Sequence, residues 1–219
     1  TFRPISLTCT MCKLLEKMIN KRLLWYLSNY QILNQAQSGF SPHRSTTDNL
    51  VILQNEIACS LNRKQNVIAV VFDIEKAFDT VWRPAILHKL REIGLSGNIL
   101  AFLENFLSHR TAQVNVQGTF SHSFTLENGV PQGSVLSPTL FNLAINDIGT
   151  HIQAPIKHLL YADDLVLLCA GRSIDTTCNL LQTAINGLAI WAKSTGFTFS
   201  PLKTKVLNFS RKINNYVPR

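Results

Sequence analysis

The stretch Tyr161-Ala162-Asp163-Asp164 constrains this chain more than any other. It lies between two largely apolar runs, residues 156–160 and 165–169. Runs of that length around a short polar break predict two strands folded into a tight hairpin. The hairpin tip then presents two adjacent carboxylates, which repel each other and lose hydration at the end of buried strands. A divalent cation is one arrangement that favours them. Another acid has a similar setting: residues 67–72 form a continuous apolar run ending at Asp73, which reads as a strand covered on both faces. If the two strand ends are neighbours, Asp73, Asp163 and Asp164 form a cluster able to hold one or two Mg²⁺, the equipment for in-line phosphoryl transfer. A lone Asp at a strand end is more often simply solvated, so the weight lies in the three together.

The remaining composition agrees with a folded, basic protein. Of 219 residues, 46% are hydrophobic and 16% charged, ample for a core and too uncharged for a disordered chain. Lys and Arg number 21 against 13 Asp and Glu, a net charge of +8 that favours a polyanionic partner, nucleic acid being the commonest large one. Cys9, Cys12, Cys59, Cys169 and Cys178 are odd in number and scattered, which favours a reduced intracellular setting over a disulfide framework. The pair Cys9-Thr10-Met11-Cys12 lacks the second pair or nearby His that would complete a zinc site. No run of about 18 apolar residues predicts a membrane span, and no signal peptide is visible. The absence of an initiating Met and the polar end read as an excised segment.

Before the first acid, Met11, Leu14, Leu15, Met18, Ile19, Leu23 and Leu27 recur near helical spacing, with Lys13, Lys17, Lys21 and Arg22 largely on the other side. Those cations read as a solvated face or as a contact with a phosphate backbone. Residues 37–46 form a breaker-rich loop. Thr46 or Thr47 is the expected cap of a helix carrying Leu50, Leu53, Ile57 and Leu61. Arg44 just ahead of it reads as a surface arginine or as a phosphate contact beside free N–H groups. After Asp73, residues 75–81 predict a helical turn holding Phe78; Pro84 opens a helix that Gly94 closes, and residues 99–107 form another. Residues 111–118 and 120–126 alternate and predict a hairpin with Val114 and Val116 inward. Gly129-Val130-Pro131-Gln132-Gly133-Ser134 is a turn-rich loop into a helix over about 138–148. Its glycines leave backbone open to a large ligand, or make a plain connector. A long amphipathic helix from Ser173 to Trp191, ended by Gly196, precedes short strands at 197–199 and 206–209 around a turn with Lys203 and Lys205.

The order of these pieces resembles the reverse transcriptases, and within them the non-LTR (LINE-like, jockey-like) retrotransposon class. Arg3-Pro4-Ile5-Ser6-Leu7, Gln37-Ser38-Gly39-Phe40 with Arg44-Ser45-Thr46, and Phe72-Asp73-Ile74-Glu75-Lys76-Ala77-Phe78-Asp79 are similar to its first three blocks. The Gln132 loop with Leu136-Ser137-Pro138, the Tyr161 to Asp164 tetrapeptide, and Gly196 to Phe209 with Lys203-Thr204 are similar to the next three. The resemblance implies an α+β fold, the right-hand polymerase palm: an antiparallel sheet with packed helices over 67–210, helical fingers over 1–66, and a polar tail at 211–219. It implies an RNA-directed DNA polymerase that extends a DNA primer on an RNA template with dNTPs and two Mg²⁺. By that resemblance Asp73 and Asp163 would bind the metals together with the Ile74 carbonyl, and Asp164 would assist. Phe78 matches the gate that clashes with a ribose 2′-OH. Gln132 would lie against the incoming nucleotide, Arg3 and Arg44 would reach its triphosphate, and Lys203 would approach the leaving pyrophosphate. Gly133 and Tyr161 would border template and primer. Ser41 departs from the pattern, standing where the family commonly has a basic residue, and nothing here resembles the thumb or endonuclease of a parent polyprotein. Work in the nucleus follows from the resemblance alone.

Two other readings compete. A catalytically silent reverse-transcriptase-like RNA-binding module, or a decayed element fragment, would keep the fold and basic surface while losing the metal; the intact acids and Gln132 loop argue against it. A receiver-type Mg²⁺-dependent phosphotransfer domain also clusters acids at strand ends. It should show a repeating βα pattern, whereas here the acidic pair lies in a hairpin about 90 residues after Asp73.

Overall fold

Short apolar runs bounded by turn-formers become strands in this protein, and longer segments with 3.6-residue spacing become helices. The computed structural model describes residues 5–211. The chain starts with helices α1 (Thr10–Asn29) and α2 (Thr46–Asn62) and strand β1 (Asn66–Asp73). Helices α3 (Ala77–Thr80), α4 (Arg83–Glu92) and α5 (Gly97–Leu107) follow. Next come four two-residue strands, β2 (Thr111–Ala112), β3 (Asn115–Val116), β4 (Thr119–Phe120) and β5 (Phe124–Thr125). Helix α6 (Ser137–Ala144) leads to strands β6 (Lys157–Tyr161) and β7 (Asp164–Gly171), helix α7 (Ile174–Thr195) and strand β8 (Lys205–Phe209). Two compact units share this chain: one takes the residues up to Ile32 and Lys76–Ala144, the other Leu33–Glu75 and the residues from Ile145 on. Among the described residues no helix is long and apolar enough to cross a membrane.

The second of these units is built on a four-stranded sheet in the order β6-β7-β1-β8, every neighbouring pair antiparallel. Central strand β1 is covered on both faces, with Val67, Ile68, Ala69, Val70 and Phe72 all at most 5% exposed. An uninterrupted apolar run suits that position, because an alternating strand would bury polar groups on one side. On one face Leu53 and Ile57 of α2 pack against Val67, Ala69, Leu159 and Leu168. On the other face Phe72 meets Phe199, which in turn lies against Trp191 of α7. Helix α7 buries Leu181, Ala184, Leu188 and Trp191, one stripe at three- and four-residue spacing. Its ends follow the sequence: the Ser173 hydroxyl accepts the Thr176 N–H, and Gly196 closes the helix at φ 80.

The cap of α2 is Ser45 rather than Thr46 or Thr47. Asp48 decides this, since its carboxylate accepts from both the Ser45 N–H and hydroxyl, and a capping box fixes the spacing at three residues. The same bonds hold the Asp48 carboxyl below its ordinary range.

The other unit departs further from the sequence reading. Only Leu23 and Leu27 of the predicted α1 stripe are buried, whereas Met11, Leu14 and Met18 are 73%, 53% and 63% exposed. The third buried residue of α1 is Glu16, fully enclosed. Its Oε2 accepts a short bond from the Ser134 hydroxyl and bonds from the Val135 N–H (2.7 Å) and Leu136 N–H (3.2 Å). Donors just ahead of α6 lack intrahelical partners, so a carboxylate outcompetes an apolar side chain for the space facing them. Arg83 has the converse task. Enclosed with no carboxylate in contact among the described residues, it donates to the carbonyls of Gly129, Leu126, Asn128 and Leu107 at 2.7, 2.7, 2.8 and 3.2 Å. Burial lowers its pKa first, and Arg110 adds to this.

Two predicted features fail here. Val114 and Val116 are 52% and 62% exposed instead of inward, because the hairpin is two short ladders, broken where the Ser121 hydroxyl takes the Val114 N–H. The helix expected to reach Ile148 stops at Ala144, and a 3₁₀ turn occupies Ile148–His151. Glu16→Ala should lower unfolding free energy by about 2–4 kcal/mol, the cost of leaving buried donors unpaired. Urea denaturation reads this, and an unchanged midpoint would refute the assigned role of Glu16.

Candidate active site

Strand pairing brings Asp73 and Asp164 to one place. Strands β6 and β7 close on the pair Tyr161–Asp164, leaving Ala162 and Asp163 as a two-residue loop. Ala162 has φ 54, the hand that two-residue hairpins favour at this position. For an L-residue that conformation costs about 1–2 kcal/mol, so surrounding bonds have to maintain it. Asp73 stands directly opposite Asp164 in the β1–β7 ladder. Register partners share a face of the sheet, so Asp73, Asp164 and Tyr161 project together. The partner of Asp73 is therefore Asp164, with Asp163 on the adjoining loop.

The strand also orients Ile74. The Asp73 carbonyl accepts the Ser200 N–H and the Glu75 N–H donates to the Thr198 carbonyl, both at 2.8 Å, around a bridge between Ile74 and Phe199. Strand alternation then turns the Ile74 carbonyl away from Phe199, toward the side on which β7 lies. Lys203 belongs to the same cluster, its Nζ 2.8 Å from Asp73 Oδ2. The Asp164 carboxyl sits above its ordinary range. Loss of hydration contributes most, followed by the charges of Asp163 and Asp73, while Lys203 pulls the other way. An apolar wall accounts for the first cause: a cleft of about 290 Å³ beside Asp164 is lined by Leu50, Leu53, Leu159, Tyr161 and Val166.

Carboxylates with a backbone carbonyl are the donor set that Mg²⁺ takes, so the residue types fit. Their assembly is incomplete. Among the described residues no three His, Cys, Asp or Glu side chains converge to hold a metal ion, and Asp73 is engaged by Lys203. Cys9 and Cys12 are not in a disulfide; the Cys12 N–H donates to Cys9 Sγ, and the Cys12 thiol donates to Glu16 Oε1 at 3.5 Å.

Other predicted residues are more dispersed. Phe78, Gln132 and Gly133 belong to the unit of α3–α6. Phe78 is half-buried and stacks on buried Phe141, ring centroids 4.8 Å apart at 14°. Gln132 donates from Nε2 to Asp79 Oδ1 at 3.1 Å, and its carbonyl accepts the Ser6 N–H. Exposed Gly133 has φ 103, a region closed to L side chains. Arg3 lies outside the described residues. Arg44 is occupied with its own loop, donating to the carbonyl and Oε1 of Gln35 and, at 3.4 Å, to the Gln37 carbonyl. Ser41, the departure from the family pattern, donates to that same carbonyl at 3.0 Å. Sequence reasoning gave no role to Gln37, whose buried side chain bonds to Ala162; an amide two residues ahead of a Gly-Phe pair was the available signal.

Lost hydration, and after it charge repulsion, give Asp164 a measurable sign. A carboxyl that binds its proton more tightly in the folded state costs stability as pH rises through its shifted range. In chelator-containing buffer at pH 7, Asp164→Asn should melt higher than the parent, and the gain should vanish below about pH 4. Thermal melts across pH test it, and a lower melting temperature at pH 7 overturns the account of a carboxyl strained by lost hydration and repulsion.

Comparison with known proteins gives this geometry a family. The reverse transcriptase (RNA-dependent DNA polymerase) family matches residues 1–215. The probable RNA-directed DNA polymerase from transposon BS of Drosophila melanogaster is 32% identical over 210 residues, 93% of this chain and 23% of the relative. The RNA-directed DNA polymerase from mobile element jockey of Drosophila melanogaster is 28% identical over 218 residues, 97% of this chain and 24% of the relative. The chain thus spans about a quarter of the length of these curated relatives. A telomerase from Candida albicans, solved in complex with the TWJ fragment of telomeric RNA, matches with a TM-score of 0.64 at 16% identity, over 88% of this chain and 35% of that one. That likeness shows a shared polymerase fold, here an α+β palm. Matched over nearly its whole length, the chain belongs to the reverse transcriptase family, alongside the enzymes of non-LTR retrotransposons.

Proposed function

We propose that this chain is the catalytic core of an RNA-directed DNA polymerase, extending a DNA primer 3′ end on an RNA template in retrotransposition. One observation carries the reading: the β1–β7 register sets Asp73 opposite Asp164, beside Asp163 and with Lys203 in contact. Asp73, Asp163, Asp164 and the Ile74 carbonyl would hold two Mg²⁺, which when bound lower the pKa of the attacking 3′-hydroxyl and neutralise charge on the pyrophosphate side. The chain's own groups supply the rest. Lys203 exchanges Asp73 for the departing pyrophosphate, a cation moving from one anion to another. Arg3 and Arg44 neutralise the triphosphate, Arg44 by giving up its bonds to Gln35. Phe78 is braced by its stack on Phe141 and blocks a ribose 2′-OH, and Gln132 lies against the incoming nucleotide. Gly133 and Tyr161 border template and primer. Backbone contacts dominate there because a polymerase accepts any sequence, and the net charge of +8 attracts the phosphates. Residues 1–66 serve as fingers and 67–210 as palm, and the work takes place in the nucleus.

Primer extension on an RNA template with dNTPs and Mg²⁺ tests the reading. The parent should extend, and Asp163→Asn should lose at least about 10³-fold, the several kcal/mol that metal-assisted charge stabilisation supplies. Extension by both proteins alike removes the hairpin from the chemistry, and RNA binding with no extension by the parent favours the silent module. In an extending protein, Phe78→Ala should improve ribonucleotide use relative to dNTPs by at least about tenfold. Unchanged discrimination in single-nucleotide incorporation would remove the gate.

A further inference from the structure

Residues 36–39 run along the outer edge of β6 within the sheet-bearing unit. Gln37 bridges to Leu160 in parallel; the Ser38 N–H donates to the Leu160 carbonyl at 2.9 Å and the Leu160 N–H to the Ala36 carbonyl at 3.0 Å. Backbone pairing ends there, and the Gln37 side chain, 4% exposed, takes over. Its Oε1 accepts the N–H groups of Ala162 at 2.9 Å and of Gly39 at 2.7 Å, while its Nε2 donates to the Ala162 carbonyl at 3.1 Å. The amide therefore behaves as one more peptide unit of a strand, satisfying both backbone groups of the loop residue with φ 54. Ala162 is itself 8% exposed, so water has little access to those groups. Gly39 completes the fit, since a Cβ there would lie 2.1 Å from the Ala162 nitrogen.

We propose that Gln37 is the positioning residue of the acidic hairpin, fixing the Ala162 peptide so that Asp163 and Asp164 keep their spacing from Asp73. Ala162 immediately precedes Asp163 and is flanked by the closing pair Tyr161–Asp164, so rotation of its peptide moves both carboxylates. The side chain requirement is specific. Methionine fills the volume but offers neither donor nor acceptor, glutamate lacks the donor, and asparagine is one methylene short. Gln37 contacts no substrate in this role; it acts through Ala162. The consequence for rate rests on the polymerase reading, whereas the geometry does not.

The test compares Gln37→Met with Leu181→Ala, a core variant in α7 remote from the loop, at matched losses of melting temperature. Gln37→Met should exchange the Ala162 amide hydrogen at least tenfold faster than the parent, and Leu181→Ala should leave it protected. In primer extension Gln37→Met should lose about 10²-fold in kcat, the scale for displacement of a catalytic group by about 1 Å, with KM for dNTP little changed. Leu181→Ala should retain kcat within a few-fold. Parent-like protection at Ala162 in Gln37→Met, or a rate loss no larger than that of Leu181→Ala, overturns the proposal. If Gln37→Met does not fold, Gln37→Asn decides: its amide falls one methylene short of Ala162, so protection there should drop as in Gln37→Met, and parent-like protection overturns the assignment. A parent that extends no primer defeats the polymerase reading alone, and the exchange measurement still judges Gln37.

Discussion

Two carboxylates facing each other across neighbouring strands repel, and the candidate site depends on the sheet holding Asp73 and Asp164 in that arrangement. The ladder supplies the restraint: six consecutive apolar pairs, from Val67–Ala170 to Phe72–Leu165, precede the acidic pair. Like charges at opposed positions cost at most about 1 kcal/mol, whereas each large apolar side chain gains about 1.5–3 kcal/mol on full burial. Packing wins, and the acids are carried to where it puts them. A slip of one residue would turn Asp73 to the α7 face and the apolar set to the wrong layers, so the same burial that tolerates the repulsion specifies its geometry.

Where ladders and helices stop, buried polar side chains continue the hydrogen bonding. Glu16 accepts from the donors ahead of α6, Arg83 gathers three carbonyls of the loop at 126–129 together with that of Leu107, and Gln37 pairs with both backbone groups of Ala162. All three choices follow from need: a carboxylate for orphan N–H groups, a guanidinium for orphan carbonyls, an amide where one of each is required. The first two support the loop of Gln132 in one unit and the third supports the hairpin in the other. Segments that carry the proposed chemistry are thus irregular backbone held by side chains from elsewhere in the chain, a way of keeping a loop rigid without giving it a place in the sheet.

Legibility in the sequence tracked how local the deciding interaction is. Strand β1, the hairpin and α7 with both its ends were readable because their patterns and caps lie within a few residues. The cap of α2 lies one residue ahead of the two threonines because the Asp48 carboxylate, three residues on, bonds to Ser45. Val114 and Val116 alternate as an inward-facing strand should, yet stay exposed; alternation states which residues share a face and says nothing about whether that face is covered. The α1 stripe misled in the same way. Its spacing was real, but Glu16 took the enclosed position because of partners about 120 residues away, which no local window contains.

The sequence alone determined the family, the order of the motifs, the apolar strands and the identity of the acids. Each of these is written in residue types and short spacings that any stable fold of the chain has to respect. Tertiary structure alone decided that Asp164 rather than Asp163 faces Asp73, that Lys203 neutralises Asp73, and that Gln37 secures the hairpin turn. Those are contacts between residues far apart in the chain, set by strand register and by the demand that every buried donor and acceptor find a partner. That demand is met only when the whole chain is folded.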